Sequence, residues 1–316
     1  MNWRDCAVPP SSLSVSRPTT PLAAWVLGGL GVAAFGLTLP MTTLALGVLD
    51  PQTISFTRSA IAGLIALALL WLTRTRRPTR RELGQFAIVA LGVVLGFPFL
   101  SALAMQSVPA GHGGVVLAIL PLMTALAATR ISGESPSLSF WAYSLFGALL
   151  VIIYSLKPGT LIIQSGDLLL FGAVVIAAVG YALGAELAKA WAGWQVICWS
   201  LVVALPVTGP LALIYAPDSS AFTLTHLIPW LAFAYLTLFS QLLGFFVWYK
   251  GLAMGGTARV SQVQLLQPFV TLIGAAWLLH EAIDQRSITF AIAVSLVVWA
   301  GRNSQIHRNS ETKTRS

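Results

Sequence analysis

Ten apolar runs, each close to the length of a bilayer-crossing helix, fill this sequence almost end to end. At 1.5 Å per residue a helix needs about 20 apolar residues to cross the hydrocarbon. Windows of that length fall at 25–46, 54–72, 86–107, 111–128, 140–156, 168–188, 194–215, 227–248, 258–279 and 288–301. The fifth and tenth are short, and the seventh carries Pro206 and Pro210. Water is not a possible solvent for such a chain. Only 18 basic and 10 acidic side chains are available among 316 residues, 9% of the whole, where soluble domains carry about 25%. The expected class is an all-α integral membrane protein with ten transmembrane helices and a lipid bilayer as its first partner.

The net charge of +8 follows topology rather than a nucleic-acid surface, because the basic residues sit between apolar runs. With the N-terminus inside, 15 Lys and Arg fall on the inner side, five of them in the cluster Arg74, Arg76, Arg77, Arg80 and Arg81. Only Lys157 and Arg286 fall outside. The positive-inside rule then places both termini in the cytoplasm of a bacterial cell, with the protein in the inner membrane. Residues 1–21 and 304–316 are polar and read as cytoplasmic tails, the first of them disordered. Cys6 and Cys198 are far apart and imply neither a disulfide nor a metal cluster.

A repeat runs through the chain. Residues 111–134 align with 258–281 at a constant offset of 147, pairing Pro121 with Pro268, Thr124 with Thr271 and Glu134 with Glu281. Each proline lies mid-span and each glutamate just past the span's end. Two halves of five spans follow, residues 22–157 and 166–303. Five is odd, so the second half enters the membrane from the opposite side. Inverted repeats about an axis in the membrane plane are a transporter architecture, since mirrored halves can open alternately around a shared midplane site.

Two five-helix copies, a proline-centred fourth helix ending in a glutamate ("LLQPFVTLIGAAWLLHE", 265–281), and Arg58 early in span two resemble the EamA branch of the drug/metabolite transporter superfamily. The resemblance covers residues 22–303. It implies outward movement of amino acids, aromatic or neutral, or of related small metabolites, by alternating access.

Polar groups at mid-depth must face a cavity or another helix. On span nine, Ser261, Gln264, Gln267 and Thr271 fall within about a third of the helix circumference, with Pro268 on the same side. Pro268 cannot donate to the carbonyl of Gln264, which leaves an acceptor beside two amides. The matching stripe of the first copy, Gly114, Leu117, Leu120 and Thr124, is apolar but for its threonine, so a lopsided cavity is expected. Gln106, Tyr181, Trp199, Gln241 and Trp248 are the further candidate solute contacts, and Pro121 and Pro268 the candidate kinks for gating. All of these residues also serve ordinary helix packing in membranes. Arg58 is expected to snorkel to the outer interface near Asp50, with carboxylate binding as the sharper alternative. His112 reads as an interfacial histidine, and Glu134 and Glu281 as caps.

No carboxylate falls at mid-membrane, which leaves proton coupling open, and no phosphate loop is present for ATP. No cofactor, metal, catalytic residue or nucleic-acid partner is expected; the partners are a small-molecule solute and lipid, with a monomeric state left open. The alternative reading, an integral-membrane enzyme acting on a lipid-linked substrate, needs paired acids or clustered histidines. The four histidines here are dispersed.

Overall fold

The computed structural model describes residues 22–132, 134–156, 163–217, 221, 226–255, 260–301 and 306–308. The tail at 1–21 lies outside these residues. Ten helices follow one another: α1 (Leu22–Ala45), α2 (Pro51–Leu72), α3 (Arg80–Ala104), α4 (Ala110–Ile131), α5 (Leu138–Ser155), α6 (Ser165–Leu187), α7 (Gly193–Ile214), α8 (Leu227–Gly255), α9 (Val263–Leu279) and α10 (Gln285–Gly301). Seven are long and apolar enough to cross a bilayer unaided, while α5, α9 and α10 are shorter. Helix α7 runs unbroken through Pro206 and Pro210. Beyond the helices, Glu134–Pro136 pairs antiparallel with Ile306–Arg308, within the stretch read from sequence as a tail.

The packing is two-fold. Helices α2 and α7, α4 and α9, and α5 and α10 each pack against their own counterparts. The other main contacts come in matched pairs: α1 on α8 as α6 on α3, and α1 on α9 as α6 on α4. Five helices per copy make the copies antiparallel, so the fold is two inverted five-helix repeats. Large apolar side chains remain on the outside, Leu64, Trp71, Leu213, Ile273 and Trp277 among them, where in a bilayer they meet acyl chains rather than water.

Glycines set the closest approaches. A Cβ on Gly92 of α3 would lie 2.6 Å from the Ile176 carbonyl of α6, and one on Gly251 of α8 would lie 3.1 Å from the Ala24 carbonyl of α1. Without a hydrophobic drive between helices in lipid, such small-residue seams supply the contact area.

Both copies break their helices at equivalent places. Helix α3 passes through a π-turn at Ala90–Gly96, and α8 through another at Leu236–Leu243, about 147 residues on. A 3₁₀ segment precedes each proline, at Leu117–Ile119 and Ser261–Leu266. Proline at position i orphans the carbonyl at i−4. Here the preceding residue takes it in a 3₁₀ bond: Leu120 N–H donates to the Leu117 carbonyl, and Gln267 N–H to that of Gln264. The free acceptor expected at Gln264 is therefore already used, because hydrocarbon offers it no water and the tighter turn costs less than an unpaired group.

Candidate functional site

Where the two π-turns face one another, the helices enclose a small cavity. It is lined by Phe35 and Thr38 of α1, Arg58 of α2, Val93 and Phe97 of α3, Tyr181 of α6, Ser240, Gln241 and Phe245 of α8, and Gln267 of α9. Both copies contribute. A π-turn shifts the hydrogen-bond ladder by one residue and lets side chains reach its carbonyls. The Ser59 hydroxyl donates to the Val94 carbonyl at 2.9 Å, and Gln241 Nε2 lies 3.4 Å from that of Val93. Across the cavity the hydroxyls of Thr38 and Ser240 are 2.8 Å apart.

Arg58 is the dominant group. Its side chain is 2% exposed, and it stands seven residues into α2, about 10 Å below the helix start at 1.5 Å per residue. Among the described residues no hydrogen bond or ion pair reaches its guanidinium, and Nε is sealed from solvent without a partner. The expected snorkelling toward Asp50 does not occur, because at this depth the side chain turns into the bundle rather than along the lipid face. A charge at a helix centre costs about 2.5–3.5 kcal/mol on insertion scales, and no carboxylate lines the cavity to offset it. The remaining free valences are amides: Gln267 Oε1 is buried without a partner. Guanidinium presents a planar fork that matches a carboxylate, while the rings of Phe35, Phe97 and Phe245 offer an apolar wall. The free space is only about 10 Å3, about one water. Space for about one water admits no amino-acid-sized molecule unless the helices part.

Of the residues read from sequence, the fold gathers Tyr181, Gln241 and Gln267 at this cavity. Gln264 is buried one turn away, with neither end of its amide partnered. Thr271 is taken up by packing: its hydroxyl donates to the Gly36 carbonyl at 2.7 Å, and its methyl side abuts Gly114. Trp248 is fully buried behind the lining, at 6.1 Å between ring centroids from both Phe35 and Tyr181. Trp199 is remote, edge-on to Trp191 at 6.5 Å. Gln106 is not at mid-depth: α3 ends at Ala104, which leaves it exposed in the following turn. The side chain of Ser261 lies outside the described residues. Pro121 and Pro268 are buried next to their 3₁₀ segments. The cavity also gains Phe35, Thr38, Val93, Phe97, Ser240 and Phe245, which had no sequence signal beyond ordinary apolar runs. For Arg58 the signal was present, as a cation inside an apolar run.

Glu281 ties the two copies together from beyond the end of α9. His280 leaves that helix in the left-handed region at φ 54°, and the reversal brings the carboxylate back across the interface between copies. Its two oxygens accept the N–H groups of Ala110 and Gly111, both at 2.9 Å, at the start of α4. A carboxylate on the first turn of a helix satisfies orphan donors and the helix dipole together. The side chain of Glu134 lies outside the described residues. No group of three or more His, Cys, Asp or Glu suited to a metal forms among those described.

Comparison with known proteins finds the EamA-like transporter family at residues 23–156 and again at 164–300. A Bacillus subtilis (strain 168) protein named uncharacterized transporter YdeK is 43% identical over 279 residues, which span 88% of this chain and 96% of that protein. Protein PecM of Dickeya dadantii (strain 3937) is 24% identical over 250 residues, 76% of this chain and 78% of its own. A solved structure with 18% identity superposes with a TM-score of 0.63 over 89% of this chain and 96% of its own, a likeness of fold.

Proposed function

The chain belongs to the EamA-like transporter family, and from that premise we propose that it exports amino acids, aromatic or neutral, or related small carboxylates across the bacterial inner membrane by alternating access. The observation that carries this reading is Arg58, a buried cation without a counter-charge in a cavity shared by two inverted halves. A carboxylate on the solute supplies the missing partner. The amides of Gln241 and Gln267 fit its amino or amide group, and the phenylalanine rings its side chain. Because inverted halves exchange roles when they rock, the same cavity opens in turn to each face. The arginine-rich end then lies in the cytoplasm, with both termini.

The test is flux of the twenty ¹⁴C-labelled amino acids, one by one, in proteoliposomes holding wild type or Arg58→Gln. The expected result is saturable flux of at least one aromatic or neutral amino acid, cut about a hundredfold in the variant at equal reconstitution. No wild-type flux of any amino acid, or undiminished flux in Arg58→Gln, overturns the reading. Orientation is tested separately with an impermeant thiol reagent applied to cells, which should label Lys157→Cys and not Arg77→Cys.

A further inference from the structure

The end of the bundle opposite the arginine cluster holds a cleft of about 270 Å3 among α4, α5, α10 and the loop after α9. His112, on the first turn of α4, opens on it and is not the plain interfacial histidine that the sequence suggested. Its Nε2 lies 2.7 Å from Oδ1 of Asp167, on the first turn of α6. The Asp167 side chain is 0% exposed while His112 is 17% exposed. The second carboxylate oxygen, Oδ2, is sealed from solvent and has no partner among the described residues.

The chemistry of the pair follows from its donors. An ionised carboxylate only accepts, so the proton of a neutral imidazole must sit on Nε2. Nδ1 is then the free base, and it carries no hydrogen bond among the described residues. A proton arriving from the cleft lands on Nδ1; the imidazolium keeps its bond to Oδ1, and the buried carboxylate gains a full counter-charge. Imidazole is the side-chain type best suited to take up and release a proton near neutral pH. A buried carboxylate with one neutral donor and one empty oxygen is costly, and a protonated neighbour relieves that cost.

The pair ties together elements of both halves. The His112 ring stacks on Tyr154 of α5 at 4.7 Å between centroids, and the Tyr154 hydroxyl is 2.7 Å from that of Ser287 on α10. The charged and titratable groups facing it are few. Tyr154 comes from α5 and Asp167 from α6. Glu281 is engaged with the N–H groups of Ala110 and Gly111. Asp284 accepts from Ser287 N–H, and hydrogen bonding from the Ser287 side chain and then its backbone holds its carboxyl below the usual range. Arg286 donates to the carbonyls of Tyr154 and Leu156, both at 3.0 Å. From α1 and the residue just past α3 come the apolar Leu39 and Met105, against the neighbouring Gly113.

We propose that the His112–Asp167 pair is a proton-binding site, loaded from this cleft, whose occupancy governs how α4 packs against α5, α6 and α10. Its place in transport rests on the reading of the central cavity given above, under which this cleft faces the periplasm and a proton gradient acts on the gate at that end. The site itself does not depend on any solute.

The experiment attaches bimane at Ala282→Cys, in the cleft lining, in a Cys6→Ser background with Cys198 left buried. The full chain is reconstituted in nanodiscs, and bimane emission, which reports local polarity, is followed from pH 8 to pH 5. The expected result is a reversible shift of several nanometres in the otherwise wild-type protein. His112→Gln and Asp167→Asn each flatten it, and Asp284→Asn retains it. No shift in the unsubstituted pair, or the same shift in both His112→Gln and Asp167→Asn, overturns the proposal. His112→Gln keeps a donor for Oδ1, so it guards against a general loss of fold. No solute is added, and failure here is distinct from failure of the amino-acid reading.

Discussion

Helices α3 and α4 of the first copy and α8 and α9 of the second share a backbone and differ in chemistry. Both pairs carry a π-turn followed by a proline with a 3₁₀ turn before it. At the same offset, Val94 stands where the second copy has Gln241, and Leu120 where it has Gln267. The cation shows the reverse: Arg58 belongs to the first copy, and the matching helix of the second, α7, carries no charged residue. Under the alternating access proposed above, mirrored rocking needs the two backbones to bend alike, which accords with the duplicated irregular turns. A single solute without two-fold symmetry places no such demand on side chains. The cavity needs only a correct sum, and the copies divide it as cation from one and amides from the other.

Arg58→Lys attacks that division most directly. Lysine keeps the charge and loses the planar fork, and solute flux should fall about a hundredfold, ~2.7 kcal/mol in transition-state terms; flux within threefold of wild type would mean that charge alone matters. Next comes the seam between copies. Gly92→Ala sets a methyl against the rigid Ile176 carbonyl and should cost about 2 kcal/mol of stability. Gly28→Ala meets the Val260 side chain instead and should cost less than about 1 kcal/mol, since a side chain yields where a backbone does not. Thermal unfolding in detergent checks the pair, and equal losses would say that the two seams are equivalent. The amides give a smaller effect: Gln267→Ala should lower flux about tenfold, whereas Gln264→Ala, off the cavity, should stay within about twofold. The smallest effect belongs to the arginine-rich rim, where Arg76 pairs with Glu82 at 2.8 Å and lies over the Trp191 ring. Half-exposed, Arg76→Ala should cost less than about 1 kcal/mol, and less still in high salt.

Much of the architecture was legible in the chain. Each of the ten windows falls on one of the ten helices, with ends that differ by at most seven residues, because span length is dictated by the bilayer and apolar runs declare it. The odd parity of the copies came from counting, and the Pro121 and Pro268 pairing marked the equivalent helix in each. The site was read less fully. Span nine pointed to Gln267, yet the same stripe also named Gln264 and Thr271, which lie about a turn to either side of it along the helix and outside the cavity lining, Thr271 with its hydroxyl donated to the Gly36 carbonyl. Gln106 was misplaced through a boundary error of about three residues, enough at a helix end to exchange mid-depth for an exposed turn. Arg58 was assigned to the lipid interface because snorkelling is the cheaper fate for an isolated helix; inside a bundle, the neighbouring helices offer a cavity instead.

Hydropathy, charge placement and self-similarity are properties of consecutive residues, and by themselves they determined the membrane class, the number of spans and the antiparallel relation of the halves. Tertiary structure alone decided that Arg58 is buried with no partner among the described residues, that Glu281 caps a helix about 170 residues away, and that His112 meets Asp167, 55 residues along. The physical reason is range. Partition into lipid is settled segment by segment, whereas the surroundings of a single charge depend on which distant helices close around it.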